Sequence, residues 1–274
     1  MTDGAERRLR LDLGYDGTDF SGWAVQPGRR TVQGELERAL STLFRAELVR
    51  LTVAGRTDAG VHATGQVAHC DVPGAAWDQV ADKALRKLNG LLDRDVRVYS
   101  LAPAAPGFDA RFAATWRRYR YRISDAPYGA DPLRRRDTVG WRRSLDAAAM
   151  HEAAQRLLGL HDFAGFCRRR ESGTSIRTLQ QLDVLRQGYD VDVLVQADAF
   201  CHSMVRSLVG ALAAVGDGSR PLDWPASLLS LTARSDEITV APAHGLTLTA
   251  VGYPPDEALA ARAEQTRAIR TGLN

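Results

Sequence analysis

Apolar and polar residues alternate near the start of the chain. Leu9, Leu11 and Leu13 are separated by charged residues, which predicts a half-buried strand ending in the turn-forming stretch Tyr15-Asp16-Gly17-Thr18. The spacing then becomes helical, with Thr31 placed to cap a helix whose apolar face consists of Val32, Leu36, Leu40, Leu43 and Phe44. The chain is therefore expected to begin with a strand, a loop and an amphipathic helix.

Further strands and helices interleave along the rest of the chain. Apolar patterns predict strands over 49–53, 66–71, 96–98, 116–123, 179–185, 189–197 and 246–251. Helical spacing predicts helices over 77–88, 145–158, 202–215 and 226–233, and Ser144 is expected to cap the second of them. Because the sequence lacks the strict alternation and long apolar runs of a doubly wound fold, it predicts an α+β (mixed α/β) fold, mainly antiparallel, in two similar halves.

A proline-containing stretch from Pro103 to Pro106 is the expected boundary between the halves. The sequence thus predicts an N-terminal subdomain over 1–105 and a C-terminal subdomain over 106–255. Residues 256–274 are charged and rich in alanine, so they are expected to form a surface helix or a frayed tail.

The composition narrows the class of protein. The sequence contains no run of about 18 apolar residues and starts with polar and charged residues, so we expect neither membrane insertion nor secretion but a cytoplasmic location. Cys70, Cys167 and Cys201 lie far apart and form no close pair, so the sequence predicts three reduced, packed thiols rather than a zinc or redox motif.

Charge is distributed unevenly along the chain. Residues 111–143 hold ten arginines against three aspartates, a local balance of +7, and Arg168, Arg169, Arg170 and Arg177 form a second basic group. A planar guanidinium binds phosphate bidentately and stacks on bases, so arginines clustered beside aromatic residues favour a nucleic acid partner. A solvated charged face is the simpler alternative for the same pattern.

The loop from Gly55 to Gly60 is the strongest candidate for chemistry. Two glycines enclose Asp58 at the exit of an apolar strand, an arrangement that lets a backbone approach a ligand and that is also common in ordinary turns. Two other interpretations fail. Gln66 stands where a phosphate-binding loop requires lysine, and the seven-residue spacing of His62 and His69 suits a metal poorly.

Five ordered blocks together resemble the tRNA pseudouridine synthase A family. They span roughly Leu11 to Gly252 and read Tyr15-Asp16-Gly17 with Gly22-Trp23, Gly55-Arg56-Thr57-Asp58-Ala59-Gly60-Val61-His62 followed by Thr64-Gly65-Gln66-Val67, Phe108 to Phe112, Arg117-Arg118-Tyr119-Arg120-Tyr121, and Ala199-Phe200-Cys201-His202-Ser203-Met204-Val205-Arg206. The loop block is long and specific. A chance match over five blocks in family order is not credible.

The resemblance implies that Asp58 is the catalytic residue of an isomerase that converts uridine to pseudouridine. The reaction breaks the N1–C1′ bond, turns the uracil and rejoins it through C5, so a protein group must engage the sugar or base and then release it. A carboxylate is ionised at neutral pH and suits three routes, as nucleophile at C1′, as nucleophile at C6, or as base at the sugar. The sequence leaves all three open.

The resemblance also implies roles for residues around Asp58. It places Tyr119 over the target uracil, although paired strand tyrosines are commonly core residues, and it pairs Arg206 with Asp58, although a snorkelling surface arginine is the ordinary alternative. Arg56 resembles the arginine that fills the gap left by the extruded nucleotide. The remaining implied substrate contacts are Arg111, His202 and Leu246; the role of His62 stays open between a contact and loop packing.

Four positions depart from the family's usual pattern. Aspartate occupies position 93 in place of proline and position 109 in place of histidine, serine occupies position 203 in place of a second histidine, and threonine occupies position 247 in place of tyrosine. These differences put the fine substrate preference in doubt. They leave the assignments of Asp58, Tyr119 and Arg206 unchanged.

As a whole, the resemblance implies two subdomains that share a mainly antiparallel sheet flanked by helices, the pseudouridine synthase fold, with a basic cleft between them. It further implies a homodimer acting on tRNA uridines at positions 38 to 40 of the anticodon stem-loop, without metal or cofactor. Recognition by shape and phosphate contacts is typical of folded RNA. Two alternatives are a catalytically silent RNA-binding module that acts as a chaperone, and an isomerase of the same class that acts on another structured RNA.

Overall fold

The computed structural model describes residues 6–168 and 174–271 of the chain. The described residues form two compact units. The first lies within Met1–Thr115 and Thr249–Asn274, and the second lies within Trp116–Leu248. The strands are β1 Glu6–Tyr15, β2 Thr52–Val53, β3 His62–Pro73, β4 Val96–Pro103, β5 Trp116–Ser124, β6 Val139–Gly140, β7 Gly159–Asp162, β8 Ile176–Gln187, β9 Asp190–Ala197 and β10 Leu246–Gly252. The helices are α1 Val32–Phe44, α2 Gly74–Asp78, α3 Ala84–Leu91, α4 Ala147–Gln155, α5 Met204–Gly216, α6 Trp224–Ser227 and α7 Leu259–Thr271.

The sheet of the first unit is built around β1. This strand pairs antiparallel with β3 on one side and β4 on the other, and β2 adds to β3. The alternation seen in the sequence is confirmed, because Leu9, Leu11 and Leu13 are fully buried. Thr31 caps α1 as expected, its Oγ1 accepting a hydrogen bond from the Gly34 N–H at 3.3 Å.

The strands of the second unit pair antiparallel in the order β5, β9, β8, β7, and β6 is added parallel to β5. Helix α4 packs against β8 and α5. The interior of α5 is almost entirely buried, which matches its apolar sequence. Each unit thus combines a mainly antiparallel sheet with helices, and the predicted α+β class is confirmed.

Three details of the predicted helices are wrong. The helix expected over 226–233 is the short α6 followed by a 3₁₀ turn at Leu228–Ser230. The single helix expected over 77–88 is divided into α2, a 3₁₀ turn and α3, because the backbone leaves the helical region at Val80 and Lys83, where φ is −124° and −122°. Helix α4 begins at Ala147 rather than Leu145. Its cap is Asp146, whose Oδ1 accepts the Ala148 and Ala149 N–H groups at 3.0 Å, and not Ser144.

The division of the chain also differs from the expected segments 1–105, 106–255 and 256–274. The first unit continues to Thr115 and includes the C-terminal helix. Phe108 and Ala110 pack in one apolar cluster with Leu259 and Ala263 of α7, and the Tyr253 hydroxyl donates to the Ala110 carbonyl at 2.7 Å. The tail therefore forms a helix that completes the core of the first unit.

The cysteines differ from the expectation that all three are reduced thiols. Cys167 and Cys201 form a disulfide with their Cα atoms 5.7 Å apart, so the prediction of three reduced thiols is wrong for this pair. Their 34-residue separation conceals the contact, which accompanies a hydrogen bond from the Arg168 N–H to the His202 carbonyl at 3.0 Å. Cys70 is a free buried thiol whose pKa is raised to about 12 by burial.

Two further observations concern the expectations on membrane insertion and on the second basic group. No helix within residues 6–168 and 174–271 is long and apolar enough to cross a membrane. Arg169 and Arg170 of the second basic group lie outside the described residues.

Candidate active site

The glycine-bounded loop lies in the first unit, between β2 and β3. Asp58 is partly exposed, Arg56 before it is exposed and Thr57 is buried. The Asp58 carbonyl accepts a hydrogen bond from the Val61 N–H at 3.2 Å, and Gly60 has φ of +78°, a left-handed conformation that favours glycine. The sequence therefore closes a tight turn that leaves Arg56 and Asp58 on its accessible side.

The loop rests directly on the Gly22-Trp23 block. The Trp23 N–H donates to the Thr57 carbonyl at 3.0 Å, and the Trp23 side chain is only 1% exposed. Gly22 has φ of +96°, and a Cβ there would lie 3.0 Å from the Thr57 oxygen. Glycine is favoured here because the positive φ strains any other residue and a Cβ would crowd the Thr57 backbone.

His62 joins the end of the loop to the turn after β1. Its Nδ1 accepts the Gly17 N–H at 2.9 Å and lies 3.2 Å from Oδ1 of Asp16, while the ring is buried. A Cβ on Gly17 would lie 2.1 Å from the Val61 oxygen. These contacts support loop packing as the role of His62.

Tyrosine side chains of β5 form the centre of the candidate site in the second unit. Tyr119 and Tyr121 share the buried face of the strand, as the alternation predicts. Tyr119 packs edge-on against Phe200 with ring centroids 5.2 Å apart. The Tyr121 hydroxyl donates to the Pro242 carbonyl at 2.9 Å, and burial raises its pKa while the charge of Arg206 opposes that shift.

Arg206 lies in the first turn of α5. Its Nε donates to the Ala241 carbonyl at 2.6 Å, and its own carbonyl accepts the Ala241 N–H at 3.1 Å. One turn later, a Cβ on Gly210 would lie 1.9 Å from the Thr239 oxygen, so the 239–241 segment packs directly on the helix. The guanidinium is thus anchored in a fixed orientation, unlike that of a snorkelling side chain.

Leu246 and His202, two other predicted substrate contacts, also lie in the second unit. Leu246 is 6% exposed and follows Gly245, where a Cβ would lie 2.7 Å from the Tyr121 ring. His202 is partly exposed just before α5, and Ser203 has φ of +64°. In the second unit, Gly245 and the charge of Arg206 therefore lie close to the buried Tyr121, whose strand also carries Tyr119.

Arginines on the opposite face of β5 bind protein groups. Arg122 is 9% exposed, and its Nε donates to Oδ1 of Asp192 at 2.9 Å. Arg118 donates to the side-chain oxygen of Gln196 at 2.7 Å. Burial raises the pKa of Asp192, although nearby Arg120 and Arg134 lower it. Part of the basic run thus stabilises the sheet, and the exposed members Arg111, Arg135, Arg136, Arg142 and Arg143 are better placed to meet an anion.

Arg111 belongs to the first unit and follows a well-ordered acid. Oδ1 of Asp109 accepts the Arg111 and Phe112 N–H groups at 2.9 and 2.8 Å, and Oδ2 pairs with Arg267 of α7 at 2.6 Å. Burial raises the pKa of Asp109, but these donors and nearby charges leave it below its usual value. The aspartate at position 109 therefore has an ion-pair partner, Arg267, in the C-terminal helix.

The predicted residues divide between the two units. Asp58, Arg56 and Arg111 lie in the first, and Tyr119, Arg206, His202 and Leu246 lie in the second. Within the described ranges, no group of three His, Cys, Asp or Glu side chains is arranged to hold a metal ion.

Comparisons with known proteins identify the class. A family model described as tRNA pseudouridine synthase matches residues 153–254. Proteins named tRNA pseudouridine synthase A are 64% identical in Frankia casuarinae, over 98% of this chain and 97% of the relative, and 54% identical in Streptomyces griseus, over 99% and 98%. One from Mycobacterium leprae is 54% identical over 97% and 96%. The α+β protein with its Asp58 loop is therefore a pseudouridine synthase, an isomerase.

The relatives also settle the particular family, because their similarity covers nearly the whole of both chains. The chain belongs to the tRNA pseudouridine synthase A family. This confirms the resemblance drawn from the five sequence blocks, and it removes the catalytically silent RNA-binding module as an alternative.

The contact of Gly17 with Val61 predicts a specific sensitivity of the loop. Gly17→Ala is expected to lower the melting temperature and to slow pseudouridine formation by about tenfold, because the new Cβ must displace the backbone beside the Asp58 turn. Gly90→Ala in α3, where a Cβ meets no atom within 4 Å, is the matched control. Thermal unfolding and initial rates measure both effects, and a Gly17→Ala enzyme equal to the control would contradict the bracing role.

Proposed function

We propose that the protein converts uridine to pseudouridine at positions 38 to 40 in the anticodon stem-loop of tRNAs, with Asp58 as the catalytic residue. The observation that carries the proposal is the loop itself, which presents a partly exposed aspartate directly after the buried Thr57, in a turn that Gly60 closes with a φ of +78°. Family membership supports tRNA as the substrate.

The chemistry requires only groups that the chain supplies. The N1–C1′ bond breaks, the freed uracil turns, C5 bonds to C1′, C5 gives up its proton and N1 gains one. Atoms and electrons balance within the nucleotide, so no oxidant, reductant or organic cofactor takes part. An ionised carboxylate supports each of three routes, attack on C1′, attack on C6, or proton removal at the sugar.

Tyr119 and Arg206 complete the proposed catalytic group. Tyr119 stacks on the target uracil and assists removal of the C5 proton, a role supported by a ring held edge-on by Phe200. Arg206 pairs with Asp58 and keeps it ionised and oriented once the RNA has excluded water. The backbone anchor at Nε supports this role, because it fixes the guanidinium before substrate arrives.

Access to the uracil requires extrusion of the nucleotide from the RNA helix. Unstacking costs a few kcal/mol, and a side chain that fills the vacated space offsets part of that cost. Arg56 suits this role because it is exposed two residues before Asp58. Arg111 contacts phosphate, while His202 and Leu246 contact the nucleotide.

The assembly and its location are also part of the proposal. Two subunits form a homodimer that holds one tRNA, as the family resemblance implies. The enzyme works in the cytoplasm with no metal and no cofactor.

Incubation of the purified protein with unmodified tRNA transcript tests the proposal. Nucleoside analysis is expected to show pseudouridine, with equal yield in the presence of a metal chelator. Absence of pseudouridine in both conditions would overturn the assignment for this chain, and loss only in chelator would overturn the cofactor-free mechanism.

Binding of tRNA is expected to weaken steeply as salt is added. Each phosphate neutralised releases counterions and contributes about −0.9 to the slope of log affinity against log salt for a duplex. Replacing exposed Arg135 and Arg136 together with Ala should reduce the slope by about 1 to 2, whereas Lys87→Ala in α3 should leave it unchanged. A salt-independent affinity of the wild-type protein would contradict the proposed arginine surface.

A further inference from the structure

The segment before Asp58 is held from the buried side of the loop by the Tyr15 and Gln66 side chains. Tyr15 Oη lies 2.8 Å from Thr57 Oγ1, and Gln66 Nε2 donates to Tyr15 Oη at 3.2 Å and to the Gly55 carbonyl at 2.9 Å. Tyr15, Thr57 and Gln66 are 5%, 7% and 0% exposed. This Tyr15–Thr57–Gln66 network therefore lies behind the loop, away from solvent and substrate.

Hydrogen-bond chemistry fixes the orientation of the Gln66 amide. The Gly55 carbonyl only accepts and the Val67 N–H, 3.2 Å from Gln66 Oε1, only donates, so the Gln66 amide has one orientation. Its Nε2 donates to Tyr15 Oη, and either hydroxyl can donate in the Tyr15–Thr57 hydrogen bond. Burial raises the pKa of Tyr15 to about 12, which keeps this hydroxyl protonated at neutral pH.

The network fixes the segment that leads to Asp58 at successive points. Gln66 holds the Gly55 carbonyl, Tyr15 holds the Thr57 side chain, and the Trp23 N–H holds the Thr57 carbonyl. A catalytic group must be kept within about 0.5 Å of its productive position, and buried, fully bonded polar groups provide such rigidity.

We propose that Tyr15 and Gln66 are positioning residues that act through Thr57 to aim the Asp58 carboxylate at the target nucleotide. The proposal rests on the catalytic role proposed for Asp58. Since the network is buried, it contributes to the rate of the bound complex and not to the affinity for RNA. Its loss therefore lowers kcat and leaves KM unchanged.

Isosteric substitutions test the proposal. Tyr15→Phe and Thr57→Val each remove one hydroxyl of the Tyr15–Thr57 hydrogen bond, and each is expected to lower kcat by about tenfold at unchanged KM. Thr57→Ser keeps the hydroxyl and should retain kcat within about twofold. Because both variants break the same hydrogen bond, Tyr15→Phe combined with Thr57→Val should be no slower than the slower single variant. Tyr99→Phe, at a tyrosine that is 55% exposed, serves as the control.

The outcomes separate positioning from stability. A fall in melting temperature with unchanged kcat, or a rise in KM alone, would overturn the proposal. If Tyr15→Phe fails to fold, Thr57→Val against Thr57→Ser decides, because equal kcat values for that pair would also overturn it. Activity of Asp58→Ala is measured in parallel. An inactive Asp58→Ala beside fully active network variants refutes the network alone, whereas an active Asp58→Ala refutes the proposed function.

Discussion

Replacing Asp58 with Ala is expected to slow pseudouridine formation by at least about 1000-fold, because no other carboxylate on the loop takes over its chemistry. Binding of tRNA should stay within about threefold of wild type, since affinity comes mainly from arginine contacts with phosphate. Single-turnover rates with saturating enzyme measure the first effect, and equilibrium binding measures the second.

The matched variants make this result interpretable. Asp58→Asn keeps the size of the side chain and removes the charge, so it should be as inactive as Asp58→Ala. Asp19→Ala, at an exposed acid on the neighbouring turn, should retain wild-type activity. An active Asp58→Ala enzyme would refute every route proposed for this carboxylate.

Loss of Arg206 is expected to have the second-largest effect. Arg206→Ala should lower the single-turnover rate by about 100-fold, because the Asp58 carboxylate would lose its charged partner once RNA excludes water. Arg206→Lys should recover only part of the rate, since lysine has no donor equivalent to the Nε that binds the Ala241 carbonyl. Arg220→Ala, which removes an exposed pair with Glu237, is the control.

A double variant tests the pairing itself. If Arg206 acts through Asp58, Arg206→Ala should slow the Asp58→Ala enzyme no further, because the partner is already missing. Independent, multiplicative losses would contradict a direct pair. A wild-type rate for Arg206→Ala would refute the role altogether.

The parts of the fold that were predicted correctly depend on local patterns. Alternation at Leu9, Leu11 and Leu13 and the cap at Thr31 involve neighbours in sequence, so the local physics decides the outcome. The units of the structure differ from the expected segments because Phe108 packs with Leu259, about half the chain away. The Cys167–Cys201 disulfide was not predicted for the same reason, because two residues far apart in the sequence can be in contact in the fold.

The candidate site shows the same division. Motif blocks singled out Asp58, Tyr119 and Arg206 without showing what holds them. The sequence predicted no supporting role for Tyr15 and Gln66, because their bonds to Thr57 and to each other cross 42 and 51 residues. The sequence does contain one signal for this network. Tyr15 and Gln66 lie among apolar residues on strands, and polar side chains on buried strands need hydrogen-bond partners.

Mapping pseudouridine by carbodiimide chemistry in RNA from cells that lack this protein tests the central claim most directly. Pseudouridine at positions 38 to 40 of tRNA is expected to disappear, to return with the wild-type chain, and to stay absent with Asp58→Ala. Retention of these modifications in the deletion cells, or their return with Asp58→Ala, would contradict the account. Loss of pseudouridine from another structured RNA instead would show that this RNA is the substrate.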